Sequence, residues 1–210
     1  MATLQASTVN MRTVAFQRGQ LRTNRAVRLS KPAARCVAAR RVFSVTAAGH
    51  PIKVGVLMGS PNDLPKMKGA VDMLRHFGLE PDVKVLSAHR QPHEVGEMAM
   101  NARANGYAAF ICGAGMAAHL AGVVSAHTTL PVVGVPLSGG ALGGVDALYA
   151  TVQMPKGIPV ATVAIDGSAN AGILVAQMLG ITNPDIAAKI EAMREETRAV
   201  LRESNKTLDV

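Results

Sequence analysis

From Ile52 onward, short apolar runs alternate with stretches of helical spacing, and glycine or proline marks nearly every switch. Lys53-Val-Gly-Val-Leu-Met58 closes on Gly59-Ser60-Pro61 and gives way to helical spacing as far as Phe77. Pro81-Asp-Val-Lys-Val-Leu86 predicts a second strand, with a helix from about Pro92 to Asn105. Ala108–Cys112 predicts a third, followed by Gly113-Ala-Gly115 as a loop and a helix through Ala118–His127. Pro131-Val-Val-Gly-Val135 and Ile158–Ile165 predict two more strands, each with a helix behind it. Strands separated by helices pair in parallel through right-handed crossovers. Their near-continuous apolar character predicts a sheet covered on both faces. The expected fold class is therefore a three-layer α/β domain over residues 49–182.

Two segments stand outside that alternation. Asn183-Pro184-Asp185 is a helix start, with asparagine as cap and proline at the first turn. Ile186, Ile190, Met193, Thr197 and Val200 follow at spacings of three and four. Residues 183–210 thus predict an amphipathic helix that packs on its own domain or on a neighbouring subunit. At the other end, residues 1–50 hold nine of the 22 Lys and Arg and no carboxylate; the first is Asp63. An Arg-rich, acid-free leader dotted with Ser and Thr reads as an organellar transit peptide over residues 1–48, the alternative being a basic tail that is kept. Val37-Ala-Ala39 and Val45-Thr-Ala47 resemble stromal processing sites, so the expected address is the plastid, with the mitochondrion as alternative. Cleavage at either step removes Cys36 and leaves Cys112 alone.

Charge mapping removes one function class. The formal net charge of +8 belongs to the leader, because residues 51–210 carry 13 basic and 14 acidic side chains, a net of −1. Such a body has no electrostatic footprint for nucleic acid. No apolar run reaches the roughly 18 residues of a membrane span. Neither a metal nor an organic cofactor is suggested, since no zinc-type cysteine–histidine spacing is present.

In an open parallel sheet, ligands bind outside the carboxyl ends of the strands. The polar segments fall there. Gly59-Ser60-Pro61-Asn62-Asp63 offers close backbone approach, a hydroxyl and a helix N-terminus suited to an anion, without Walker or dinucleotide spacing. A carboxylate beside a phosphate is repulsive unless it faces ribose hydroxyls, the role expected of Asp63; alternatively Asn62 or Asp63 only caps the helix. Ser87-Ala88-His89-Arg90 sets a proton-transfer group beside a guanidinium that grips phosphate in a bidentate way. The plainer reading is a surface His–Arg pair. Gly113, Ala114 and Gly115 supply small residues and backbone donors, and His119 reads first as a helix-start residue and second as a ligand contact. The Pro136-Leu-Ser-Gly-Gly-Ala-Leu-Gly-Gly144 run is a loop able to cover a pocket.

Gly59-Ser60-x-x-Asp63, Ser87-Ala-His-Arg90, Gly113-Ala-Gly115 with Ala117-Ala-His-Leu120, and Val152-Gln-Met-Pro-x-Gly-Ile-Pro159 occur in one order. Together they closely resemble the PurE family, which places a carboxyl group on aminoimidazole ribonucleotide in purine synthesis. The resemblance covers about residues 52–181. It implies a flavodoxin-like fold, a homo-octamer with sites at subunit contacts, and His89 as the acid/base. It further implies that Ser60 and Arg90 face the phosphate, Asp63 the ribose, that Ser87 lines the site, and that the Gly113–Gly115 backbone shapes the base pocket. The family has a mutase branch, which moves a carboxylate from the exocyclic nitrogen to ring carbon 4, and a branch that uses carbon dioxide directly without ATP. The second branch typically has lysine where Arg90 stands and lacks the Gly-Ala-Gly…Ala-Ala-His-Leu run, so this chain resembles the mutases. A mutase implies a separate ATP-dependent carboxylating enzyme to make its substrate. Asn62, Met116 and Ala121 depart from the serine, glycine and proline usual in many mutases.

Other classes fit the residues less well. A flavin carrier would want aromatic rings to stack, and the chain has no Trp and two Tyr. A phospho-acceptor domain would want acidic residues after the first strand, where Leu57-Met-Gly-Ser60 has none. A non-catalytic nucleotide-binding module of the same fold is the alternative of another class.

Overall fold

A computed structural model describes residues 52–208. The leader and its processing steps lie outside the described residues. Five parallel strands form one sheet: β1 (Lys53–Met58), β2 (Glu80–Val85), β3 (Tyr107–Gly115), β4 (Val132–Leu137) and β5 (Ala161–Thr162). Their order is β2-β1-β3-β4-β5, the flavodoxin-like arrangement. The helices are α1 (Leu64–His76), α2 (Pro92–Met100), α3 (Leu120–His127), α4 (Val145–Val152), α5 (Ser168–Gly180) and α6 (Pro184–Lys206).

Side chains alternate across each central strand, as the two-residue period of a strand requires. Val54, Val56 and Met58 of β1, Ala109 and Ile111 of β3 and Val133, Val135 and Leu137 of β4 pack against α1, α5 and the first turns of α6. Leu57, Phe110, Cys112 and Val132 point the other way, against α2 and α3. Helix α4 covers β4, where Gly134 leaves room for the Thr151 methyl: a side chain there would sit 2.3 Å from it.

The edges differ from the sequence expectation. Strand β2 borders only β1 and leaves Val83 and Val85 exposed, so burial on both faces holds for the centre of the sheet and not for this edge. The run predicted as a strand over Ile158–Ile165 pairs with β4 only at Ala161 and Thr162. Helix α2 stops at Met100, five residues before the predicted end, and the chain continues in turns. Helix α6 starts as its cap predicts: the Asn183 side chain accepts from the N–H groups of Asp185 and Ile186, at 3.2 and 3.4 Å. Ile186 and Ile190 are buried in the core of this same domain, whereas Val200 and Leu201 are exposed. No helix among the described residues is long and apolar enough to cross a membrane.

Candidate active site

The carboxyl ends of β1 to β4 open on a cleft of about 620 Å³, and most of the sequence-predicted residues line it. Its first wall follows β1. Ser60 is extended and its hydroxyl accepts from the Asn62 N–H at 3.3 Å, so Ser60 caps the short 3₁₀ turn Pro61–Asp63 that leads into α1. Asp63 stands at the N-cap of α1, but its side chain makes no capping bond. Its carboxyl faces the cleft instead. Partial burial pushes that carboxyl above its ordinary range, opposed by the Ser60 backbone N–H and the charges of Lys66 and Arg90.

The second wall follows β2. The Ser87 carbonyl accepts from the N–H groups of Arg90 and Gln91, at 3.2 and 2.8 Å, which closes a tight turn. Ser87 is buried by that turn, and His89 and Arg90 are presented in the open. Arg90 Nη2 donates to the Gly59 carbonyl at 2.6 Å, tying the two loops together while the rest of its donor fork stays on the cleft side.

The third wall is strand, not loop. Strand β3 runs on to Gly115, so Gly113, Ala114 and Gly115 pair with β4 at Val135, Pro136 and Leu137. Ala114 and Gly115 line the cleft. Gly113 does not: it is buried, and a side chain there would lie 2.3 Å from the Met67 sulfur of α1. Its lack of a side chain lets α1 pack closely against β3. His119 stands at the helix start, as expected. It precedes α3, caps nothing, and reaches the cleft through another side chain: its Nδ1 is 2.8 Å from His89 Nε2, with the rings perpendicular at 87°. One ring donates and the other accepts, so the pair shares a proton along that bond. The two histidines follow β2 and β3, with β1 between them in the sheet, and only the strand order brings them together.

Sequence reasoning missed a third group. Ser138 lines the cleft, and Lys66 of α1 donates to its hydroxyl at 2.6 Å and to its carbonyl. The Asp166 carboxylate accepts from the Ser138 N–H at 2.8 Å and from its hydroxyl, with Lys66 Nζ at 3.7 Å. These three residues lie in three separate segments and form no motif. Among the described residues no group of three or more His, Cys, Asp and Glu is arranged to hold a metal. Cys112 is buried on the α2–α3 side of β3, where burial pushes its thiol far up and away from reactivity.

A model of the AIR carboxylase family matches residues 53–199. The chain is 52% identical over 161 residues to the N5-carboxyaminoimidazole ribonucleotide mutase of Vibrio vulnificus, covering 75% of this chain and all of that protein. It is 46% identical over 154 residues to the chloroplastic phosphoribosylaminoimidazole carboxylase of Vigna aconitifolia, covering 73% of this chain and 28% of that longer one. A crystal structure of Treponema denticola PurE superposes with a TM-score of 0.69 at 26% identity, over 77% of this chain and the whole of that one. The chain belongs to the AIR carboxylase family.

Within that family, the departures noted in the sequence acquire places. Met116 lies beyond the end of β3 at φ 52°, a left-handed conformation that favours glycine. It keeps a side chain there at a conformational cost of about 1 kcal/mol. That side chain lines the cleft and sits against Gly140. Ala121 is buried under the α4 side of the sheet, away from the cleft wall. Asn62 contributes its N–H to the Ser60 hydroxyl while its side chain is exposed.

Proposed function

We propose that this chain forms 4-carboxy-5-aminoimidazole ribonucleotide in purine biosynthesis, by moving the carboxylate of N5-carboxyaminoimidazole ribonucleotide to ring carbon 4. The observation that carries the reading is the meeting of His89, Arg90, Ser60 and Asp63 on one cleft, in a chain that covers the whole of a relative named for that mutase. Arg90 and Ser60 take the phosphate, Asp63 the ribose hydroxyls, and Ser87, Ala114 and Gly115 the remaining contacts. The carbamate C–N bond breaks and releases carbon dioxide, and the exocyclic nitrogen takes up a proton from His89. Carbon 4 then attacks the carbon dioxide, and His89 recovers a proton from that carbon as the ring regains aromaticity. His119 holds the His89 ring in place through the 2.8 Å bond. Exclusion of water keeps carbon dioxide in the cleft between the two steps.

Direct carboxylation of aminoimidazole ribonucleotide by carbon dioxide is the second reading, favoured by the name of the Vigna relative. For a mutase, a separate ATP-dependent enzyme supplies the substrate. The protein works as a homo-oligomer, an octamer by resemblance to the family. Supporting this, Val145, Tyr149 and Val152 form an exposed apolar row along α4. The leader is a plastid transit peptide, with the mitochondrion as the alternative address; its acid-free composition and the chloroplastic relative support this.

The test is His89→Asn. Turnover of the N-carboxylated nucleotide should fall by at least about 100-fold, with nucleotide affinity by calorimetry within about twofold of wild type, because no charge–phosphate contact is removed. Near-normal turnover in that variant would remove His89 from the chemistry.

A further inference from the structure

Residues 138–144 are poor in anchors of their own. Four are glycines, of which Gly140, Gly143 and Gly144 have φ of 62°, 59° and 96°. A side chain added at Gly139 or Gly143 would meet nothing within 4 Å, and Leu142 is exposed. Both ends of the loop nevertheless converge on one residue, since a Cβ on Gly144 would lie 3.0 Å from the Ser138 Cα. Where Ser138 sits therefore decides where the loop sits.

Ser138 is held by two residues at three of its groups, the N–H, the hydroxyl and the carbonyl. Asp166 takes its N–H and its hydroxyl, while Lys66 grips its hydroxyl and carbonyl from α1. Asp166 does this from a left-handed backbone, φ 56°, pinned by its own N–H to the Pro136 carbonyl at 2.9 Å. Aspartate is among the few non-glycine residues that enter this region readily, and here the Pro136 bond and the contacts to Ser138 fix it there. The cluster also borders the substrate side: Ser138 and Gly139 line the cleft, and the Lys66 charge acts on Asp63. We infer that Asp166 is a positioning residue, latching the 138–144 loop through Ser138 and Lys66 so that it forms a fixed wall of the nucleotide cleft.

The inference rests on the nucleotide reading above for its catalytic consequence, but not for its structural one. Both Lys66 and Asp166 are more than a third exposed, so the ion pair adds little to global stability. Loop order and substrate affinity should respond instead. Glycine fits the left-handed backbone without strain, so Asp166→Gly should keep the melting temperature of the full chain. In that variant, hydrogen exchange at the Ser138 amide should speed up by about tenfold or more, the effect of losing a charge-assisted bond. KM for the nucleotide should rise by about tenfold with kcat within about twofold. Asn also tolerates this backbone and keeps an acceptor for the Ser138 N–H, so Asp166→Asn should restore most of the amide protection. Wild-type exchange in Asp166→Gly would overturn the latch. Faster exchange with an unchanged KM would reduce it to a structural tie and overturn the positioning role. The exchange arm needs no turnover, so a wild-type protein inert toward the nucleotide would sink the functional reading alone.

Discussion

Two carboxylates flank Lys66 on the rim of the cleft, and they are held in opposite ways. Asp63 has its carboxyl pushed up by desolvation, with only the Ser60 N–H and the more distant charges of Lys66 and Arg90 to oppose it. Asp166 is desolvated too, yet the Ser138 hydroxyl and N–H and the Lys66 ammonium outweigh this and hold its carboxyl below the ordinary range. The surroundings of one group disfavour its charged form and those of the other favour it. The difference separates ligand-facing machinery from architecture: groups with unspent bonding capacity await a partner, and groups already satisfied shape the wall.

The comparison can be broken most forcefully at Arg90. Arg90→Lys keeps the charge but loses the fork, one arm of which holds the Gly59 carbonyl and the rest of which is proposed to grip the phosphate. Nucleotide affinity should drop by about tenfold to 100-fold in calorimetry, with the melting temperature nearly unchanged. Equal affinity would remove Arg90 from the ligand-facing set. His119→Ala comes next. It removes the bond that orients His89, so kcat should fall by about tenfold while nucleotide affinity holds. A loss of affinity with kcat intact would place His119 on the substrate instead.

The smallest effect has the most informative sign. Because the folded-state value for Asp63 lies above 3.8, folding favours its neutral form; that stabilisation is present below the ordinary value and is lost as pH rises through the raised one. Asp63→Asn should therefore raise the melting temperature at pH 7 slightly, by about a degree at most once solvent screening of this partly exposed group is counted, and weaken nucleotide binding. The stability gain should vanish as pH falls toward 4. Asp166 has the reverse sign: its contribution is present above the ordinary carboxylate range and is lost as pH falls through its lowered value. A lower melting temperature for Asp63→Asn at pH 7 would put both carboxylates in the same class.

Much of this was readable before any coordinates. The central strands were legible because apolar runs bounded by glycine and proline leave little else to form, and α6 was legible from its Asn183-Pro184 start. Strand β2 was legible as a strand, but its place at the edge was not, since that depends on strand order; the charges of Asp82 and Lys84 within its run were the one local sign of an exposed face. The first two walls of the cleft follow directly from residues adjacent in sequence to strand ends. The His89–His119 contact spans 30 positions and exists only because β2, β1 and β3 lie side by side in that order. The packing role of Gly113 was hidden for a related reason: only the position of Met67, 46 residues earlier, shows why no side chain fits there. The Lys66–Ser138–Asp166 cluster depends on a left-handed backbone at a residue that is not glycine, which no local pattern announces.

The most direct measurement follows the carbon-4-carboxylated product formed by the purified protein without ATP, from two separate mixtures. One holds N5-carboxyaminoimidazole ribonucleotide, the other aminoimidazole ribonucleotide with bicarbonate. The account predicts efficient turnover of the first, with the second needing very high bicarbonate. Preference for the second would contradict it, making the chain a direct carboxylase and removing Arg90 as a marker of the mutase branch.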